Sequence, residues 1–169
     1  VLCYVVDAAA GEPLEDFLDK RIFRPMKMTR STLDTDASRA RAIATDGNIT
    51  ALFEADEKGN IVGDEQWSIL PPFRACACVK STAHDMARYY QCLANKGVLD
   101  GEQVIPAKAV ELMIGAGFPE QEKAVYCMGL NKRVEDGHVY CEHSGGLHGV
   151  SSEGGLLKDE NYGFAVLCN

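Results

Sequence analysis

The stretch Glu142-His143-Ser144-Gly145-Gly146-Leu147-His148-Gly149 lies between two segments with the composition of β-strands. Two consecutive glycines after a His-Ser pair leave a length of backbone without side chains, which lets another group approach it closely. Taken alone, such a stretch is also typical of a glycine-rich turn that carries an incidental histidine. The surrounding sequence therefore has to decide between a strand edge and a simple turn.

Four segments around this stretch have strand-like composition and are joined by short polar or glycine-containing links. We predict strands over residues 128–134, 138–143, 150–157 and 162–168. Links as short as Glu135-Asp136-Gly137 join neighbouring antiparallel strands. The C-terminal part of the chain is therefore predicted to form an antiparallel meander, with the glycine-rich stretch between its second and third strands.

Helical spacing of apolar residues dominates the chain before Gly117. The clearest helix follows Ser81 and Thr82, which are both candidate caps, and Asp85 comes three residues after Thr82 in the pattern of a capping box. Its apolar face is predicted to contain Met86, Tyr89, Tyr90 and Leu93. Further helices are predicted over residues 1–10, over 13–24 and from Pro106 to 114, the first of them as the end of a buried helix.

Turn-forming residues predict two hairpins in the same region. Residues 51–53 and 60–62 flank the polar turn at 56–59, and Asp100-Gly101 separates the apolar pairs 98–99 and 104–105. Residues 34–44 predict only a weak helix, and the segment 67–73, which contains Pro71-Pro72, is predicted to be irregular. Helices followed by an antiparallel meander predict the α+β class, with helices packed on one face of the sheet.

The length of 169 residues suits one domain with its own hydrophobic core. We predict a single domain over residues 1–169, mainly helical over 1–125 and formed by antiparallel strands over 126–169. The chain opens inside an apolar run at Val1 and has no initiator methionine. We therefore expect it to be part of a larger domain.

Composition argues against two classes of protein. The net charge is −8 and the Lys and Arg residues are scattered, whereas nucleic-acid binding depends on clustered basic residues. We therefore expect no nucleic-acid partner. Apolar runs stay far shorter than the ~20 residues that a membrane helix needs, so no membrane span is expected either.

The chain contains seven cysteines, an odd number in a domain large enough to fold without disulfides. Free thiols in a reducing compartment are the simplest interpretation, and we expect a cytoplasmic location. Cys76-Ala77-Cys78 lacks the spacing of paired zinc ligands, and no second pair follows at a matching distance. We expect no metal site and no cofactor.

Four blocks carry a family resemblance, namely residues 11–18 (GEPLEDFL), 21–32 (RIFRPMKMTRST), 81–88 (STAHDMAR) and 143–152 (HSGGLHGVSS). In this order they resemble the β-lactamase and penicillin-binding family of serine hydrolases. The most similar branch contains class C β-lactamases and related esterases and D-amino-acid peptidases. The resemblance implies part of a β-lactamase/transpeptidase-like fold, and acyl-serine chemistry on a β-lactam, a peptide or an ester.

The resemblance implies three active-site elements, of which the chain contains one. The family's Lys-Thr-Gly strand often has the sequence His-Ser-Gly in this branch, and it matches His143-Ser144-Gly145. No serine is followed by lysine three residues later, and no Tyr-x-Asn or Ser-x-Asn occurs. The sequence also departs from the family at Cys76-Ala77-Cys78, where Ala-Gly-Gly is usual, and at Lys27, where glycine is usual. Alone, the chain is expected to be inactive.

By the resemblance, the catalytic residues are His143 and Gly146. The Gly146 N–H would be one donor to the oxyanion of an acyl-serine reaction, and His143 would stand for the family's basic residue. Ser144 and Gly145 would bind substrate. Ser144 is not taken as a nucleophile, because its surroundings lack the first glycine and the strand-turn-helix pattern of a Gly-x-Ser-x-Gly elbow. The alternative for His143 is a strand histidine with a structural role.

The sequence is compatible with two functions. The first is the C-terminal part of a serine hydrolase whose nucleophile lies in a missing N-terminal segment of the same protein. The second is a non-catalytic module that binds a ligand in the same groove. In both cases the expected partner is a small-molecule or peptide-like substrate or ligand. The remaining histidines have other expected places: His148 in a loop, and His84 and His138 on the surface.

Overall fold

The computed structural model describes residues 1–33, 47–64, 73, 75–115, 118–121 and 124–169. The weak helix predicted over 34–44 lies outside these residues, as does all of the irregular segment 67–73 except Phe73. The described helical segments are α1 (Leu2–Ala10), α2 (Leu14–Leu18), a π-helical segment (Asp19–Phe23), α3 (Ala83–Ala94) and α4 (Ala107–Gly115). The helix predictions outside 34–44 are therefore confirmed in position.

The C-terminal part of the chain forms one antiparallel sheet with the strand order β12-β11-β10-β9-β8-β7. Its strands are β7 (Phe118–Gln121), β8 (Ala124–Tyr126), β9 (Asn131–Glu135), β10 (His138–Leu147), β11 (Val150–Leu157) and β12 (Tyr162–Cys168). Each strand pairs with its neighbour along the chain, so the predicted meander and the α+β class are confirmed.

Two features of this sheet differ from the sequence prediction. The sheet begins at Phe118 rather than near residue 126, since β7 and β8 add an outer pair of strands. Their pattern is hard to recognise because they are short and β7 contains Pro119, which sheets tolerate at an edge. In addition, β10 continues to Leu147, so the glycine-rich stretch is mostly strand and only His148 and Gly149 form the turn.

Three two-stranded ladders lie outside the large sheet. They pair β1 (Thr32–Leu33) with β4 (Val79–Lys80), β2 (Leu52–Ala55) with β3 (Ile61–Asp64), and β5 (Val98–Leu99) with β6 (Glu102–Gln103). The last two are the predicted hairpins. In the β5–β6 turn, Asp100 and Gly101 both have positive φ (52° and 83°), as a two-residue primed turn requires, and the returning strand starts at Glu102 rather than at Val104.

The main core lies between α3, α4 and the sheet. Its buried residues are Tyr90, Leu93, Ala94, Val110, Leu130, Cys141 and Leu156. The packing of α3 on β12 is unusually close, because a Cβ built on Gly163 would lie 2.6 Å from the Gln91 backbone nitrogen and 2.7 Å from the Tyr90 carbonyl carbon. Only glycine at this position lets helix backbone and strand backbone approach so closely.

The start of α3 also holds the connection that precedes it in sequence. The Thr82 hydroxyl accepts the Asp85 N–H (3.2 Å), as predicted for the helix cap. The Asp85 carboxylate, 3% exposed, accepts the Arg30 N–H and the Ser31 hydroxyl, each at 2.9 Å. A buried carboxylate needs such donors, so Asp85 fixes the chain around residues 30–31 against the helix.

Lys27, where the family resemblance implies glycine, adopts the left-handed conformation with φ of 55°. Its ammonium lies 2.8 Å from the Asp100 carboxylate, and Arg88 donates to the same carboxylate at 2.8 Å. Lys27 and then Arg88 hold the pKa of Asp100 at about 2. The position therefore keeps a glycine-like backbone while its side chain takes part in an ion-pair network.

The first helix is less buried than its composition predicts. Only Cys3 of α1 is buried, whereas Leu2 and Tyr4 are 72% and 70% exposed. The prediction of a buried helix is therefore wrong for the described residues, because α1 packs only through one edge on Leu14, Leu33 and Cys78.

All seven cysteines are free thiols, and only Cys76 and Cys168 are exposed. Among the described residues, no helix is long and apolar enough to cross a membrane.

The close contact at Gly163 generates a stability prediction. Gly163→Ala should lower the free energy of unfolding by about 1–3 kcal/mol, because the new methyl group meets the backbone of α3, which cannot move aside as a side chain can. Thermal or denaturant unfolding measures the change. The matched control is Gly115→Ala at the end of α4, where a Cβ meets nothing within 4 Å and stability should be unchanged or slightly higher. Equal stability of Gly163→Ala and wild type would contradict the packing described here.

Candidate functional site

The second half of β10 is paired on one side only. Towards β11 its pairing runs from Tyr140 to Leu147, which faces Val150. Towards β9 the pairing stops at Glu142, which faces Asn131. Within the part of the chain that the structure describes, residues 143–147 therefore form an open strand edge inside the sheet. Of the two interpretations of the glycine-rich stretch, the strand edge therefore holds as far as Leu147 and the turn holds for His148 and Gly149.

The hairpin register shows which backbone groups face this open edge. The β9–β10 turn has positive φ at Asp136 (51°) and Gly137 (83°), which is the geometry of a two-residue primed turn. In such a turn the two flanking residues form a hydrogen-bonded pair, and here these are Glu135 and His138. Backbone groups of alternate residues point to the same side, so Ser144 and Gly146 continue the series that begins at His138. Their N–H groups point into the open edge.

An independent contact agrees with this alternation. The Lys158 N–H donates to the Val139 carbonyl at 2.8 Å, which places the odd-numbered residues of β10 on the β11 side. Gly145 belongs to that series, and its carbonyl accepts the Ser152 hydroxyl at 3.4 Å. The backbone of Gly145 is therefore directed towards β11, whereas that of its neighbours on either side is directed outwards.

The two glycines of the stretch differ in their surroundings. A Cβ built on Gly145 would lie 2.8 Å from the Ser152 hydroxyl oxygen, so packing against β11 favours glycine there. A Cβ on Gly146 would meet only the Val150 carbonyl oxygen, at 4.0 Å, and Gly146 is not among the residues with positive φ. Neither packing nor backbone conformation in the described residues requires glycine at 146. Its effect is to leave the outward N–H accessible.

The side chain of His143 lies over the same edge, next to a residue that the sequence did not single out. Its Nδ1 is 2.5 Å from the Ser144 carbonyl oxygen, and its Nε2 is 3.4 Å from the Tyr126 hydroxyl. A carbonyl only accepts, so Nδ1 carries the proton, and in the neutral imidazole Nε2 then accepts from Tyr126. Tyr126 is placed here by β8, which no local pattern predicted.

The charge beside the site is compensated within the sheet. Arg133 on β9 donates to the Glu142 carboxylate at 2.5 Å and also pairs with Glu135. The two carboxylates, Glu142 first, raise the pKa of the Arg133 guanidinium above its usual range, so this residue stays fully charged. Glu142 is thereby ion-paired immediately before His143, by a guanidinium that it shares with Glu135.

A nearby thiol is not a candidate nucleophile. Cys141 lies two residues before His143, but it is fully buried and belongs to the main core. Burial raises the pKa of the Cys141 thiol to about 11, which keeps it neutral near pH 7. Cys141 is therefore a packing residue.

The structure brings His143, Ser144 and Gly146 together at one exposed edge, away from His84 and His138. His84 lies in the first turn of α3 and is 78% exposed in its side chain, and His138 pairs with Glu160 at the far end of β10, so both are surface residues as predicted. His148 lies in the β10–β11 turn, where it contacts Glu54 of β2. Among the described residues, no group of three His, Cys, Asp or Glu side chains is placed to hold a metal ion.

A surface cleft of about 340 Å³ lies beside the β10–β11 turn. It is lined by residues of β2 and of the ends of β10, β11 and β12, including Phe53, Glu54, Leu147 and Ser151. Leu147, the residue after Gly146, lines this cleft, and β2 lines it on one side.

Comparison with known proteins places the chain in a family. The Beta-lactamase family model matches residues 1–169. A curated relative, Protein Rv1367c of Mycobacterium tuberculosis, is 27% identical over 127 residues, which is 73% of this chain and 30% of that protein. The chain thus spans less than a third of the curated relative that it matches.

Solved structures show the same fold. The octameric penicillin-binding protein homologue from Pyrococcus abyssi superposes with a TM-score of 0.80 at 21% identity, over 99% of this chain and 36% of that one. A D-stereospecific amidohydrolase from Streptomyces sp. gives 0.74 at 20% identity, over 99% of this chain and 47% of that one. With the four sequence blocks and the α+β fold, the family match leads to one conclusion: this chain belongs to the Beta-lactamase family, the family of serine β-lactamases and penicillin-binding proteins.

Proposed function

We propose that this chain is the C-terminal part of a serine hydrolase that acts through an acyl-serine intermediate on a β-lactam, a peptide or an ester. The observation that carries the proposal is the open edge of β10, where the N–H groups of Ser144 and Gly146 point away from the sheet. Acyl transfer needs fixed N–H donors aimed at the oxygen that becomes negatively charged. A strand edge with a glycine at the outward position offers such a donor without a side chain in the way.

The proposed roles follow the direction of each group. The Gly146 N–H is one oxyanion donor, and the N–H of the nucleophilic serine is the other. Ser144 binds the substrate through its outward backbone or its hydroxyl. Gly145, between these two outward groups, contributes to substrate binding as a residue without a side chain in this part of the strand.

His143 is proposed to take part in proton transfer or to hold a substrate carboxylate. Its contact with the Tyr126 hydroxyl supports this role, because the pair forms a hydrogen-bonded chain from Tyr126 through the imidazole to the Ser144 carbonyl. Tyr126 is thereby added as a residue that orients His143.

The nucleophile is proposed to come from a segment of the same protein outside this chain. No Ser-x-x-Lys occurs in residues 1–169, and the chain spans 30% of Rv1367c and 36% of the Pyrococcus protein. The whole site then forms where that segment meets the open edge of β10. We further propose a reducing, cytoplasmic location, which the seven free thiols support.

The first test replaces the proposed oxyanion donor. In the full-length protein, Gly146→Val should lower kcat/KM by about 10²–10³, the usual cost of losing one oxyanion donor, because its branched side chain blocks approach to the N–H. The free energy of unfolding should stay within about 0.5 kcal/mol of wild type, since the space around a Cβ at 146 is open. Hydrolysis of a p-nitrophenyl ester and thermal unfolding are measured together. A fully active Gly146→Val would contradict the assignment of this donor.

The second test concerns the histidine. His143→Ala should lower kcat/KM by about 10²–10⁴, the range usual for a group that moves a proton in the transition state. The control is His138→Ala on the same strand, which removes an exposed pair with Glu160 and should leave activity unchanged. If His143→Ala keeps full activity, or loses activity only in proportion to unfolding, the histidine is structural. Absence of hydrolysis by the wild-type full-length protein would instead favour a non-catalytic ligand-binding module.

A further inference from the structure

The turn that ends the open edge is held by a hairpin that lies far away in the sequence. Glu54 on β2 is 95 residues from Gly149, yet its carboxylate oxygen accepts the Gly149 N–H at 3.0 Å. The same oxygen lies 2.6 Å from Nδ1 of His148. One carboxylate therefore contacts both residues of the two-residue turn between β10 and β11.

The apolar side of the same hairpin fits closely against this turn. Leu52 is 2% exposed, and a Cβ built on Gly149 would lie 2.8 Å from the Leu52 Cβ and 3.2 Å from the Phe53 nitrogen. Gly149 has φ of 66°, so both its conformation and its surroundings require glycine. A further contact joins the Ala51 carbonyl to the Asn169 side-chain amide at 2.7 Å. The β2–β3 hairpin is thus seated on the end of the sheet next to the site.

The position of this contact matters because the open edge has little other support. Residues 143–147 are paired with β11 alone, and within the described residues no strand lies on their other side. Gly146 faces Ser151, and the turn follows one residue later. The direction of the Gly146 N–H therefore depends on the pairing of β10 with β11 and on how firmly the His148–Gly149 turn is held in place.

We propose that Glu54 is a positioning residue for the oxyanion donor: by holding the His148–Gly149 turn, its carboxylate fixes the direction of the Gly146 N–H. This inference rests on the proposed function of the open edge and adds to it a residue outside the family's motifs. A hydrogen bond to a charged acceptor is well suited to this task, since it is stronger and shorter than one between neutral groups.

The test uses the full-length protein with three substitutions at the hairpin. Glu54→Ala removes the acceptor and should lower kcat by roughly ten- to a hundred-fold, as expected when a reacting group is misplaced by about 1 Å. KM should change little, because the affected contact forms in the transition state. Glu54→Gln keeps an oxygen that accepts the Gly149 N–H and should recover most of the rate. Glu57→Ala in the exposed turn of the same hairpin is the matched control and should behave as wild type.

The concentration of active sites is measured as the amount of serine that a p-nitrophenyl ester acylates in a burst experiment. Each turnover rate is divided by this concentration, so that unfolded protein does not contribute. A role confined to stability would reduce the number of acylated serines and the melting temperature while leaving the rate per site unchanged, which would overturn the proposal. A Glu54→Ala rate within about twofold of wild type would also overturn the proposal, as would a Glu54→Gln variant that is as slow as Glu54→Ala. If wild type itself gives neither burst nor turnover, the proposed function fails and the positioning role fails with it. An active wild type with an unaffected Glu54→Ala overturns the positioning role alone.

Discussion

The structure of the site depends on unequal pairing along one strand. β10 has eight paired residues facing β11 but only five facing β9. Because β9 begins at Asn131, opposite Glu142, the backbone groups beyond that point have a partner strand on one side only among the described residues. An open edge is ordinarily a liability for a sheet, since unpaired N–H groups invite other strands. Here it lies inside the sheet, between an exposed histidine and a tight turn, and the unpaired donors are those of Ser144 and Gly146.

The neighbouring elements hold this strand in place without covering it. α3 packs against β11, and β12 approaches the same helix so closely that only glycine fits at position 163. At the tip, the Glu54 carboxylate and the Leu52 side chain contact the turn. The contacts with α3 are made by β11 and β12, and those with Glu54 and Leu52 are made at the turn after β10. None of these contacts covers the outward side of residues 143–147, which stays accessible. A rigid donor with an accessible face is the arrangement that oxyanion stabilisation requires.

Local signals in the sequence were sufficient for most elements. The α3 cap at Thr82 and the hairpin turns lie where turn residues and apolar spacing predicted them, and the strands β9 to β12 coincide with the predicted segments apart from their ends. Features that depend on pairing between distant residues could not be predicted. Glycines have no apolar pattern, so the extension of β10 to Leu147 follows only from its pairing with β11. The contacts of Tyr126 with His143 and of Glu54 with Gly149 join separate elements, and no local pattern indicates them.

The central claim is that residues 143–146 supply the oxyanion edge for a nucleophilic serine located elsewhere in the protein. The most direct measurement is intact-mass and peptide mapping of the full-length protein after a short reaction with benzylpenicillin or a p-nitrophenyl ester, with the chain of residues 1–169 treated in parallel. We predict one acyl group per full-length molecule, on a serine outside residues 1–169, and no adduct on the isolated chain. A stable adduct on Ser144 or on any other serine of this chain, or the absence of any adduct on the full-length protein, would contradict it.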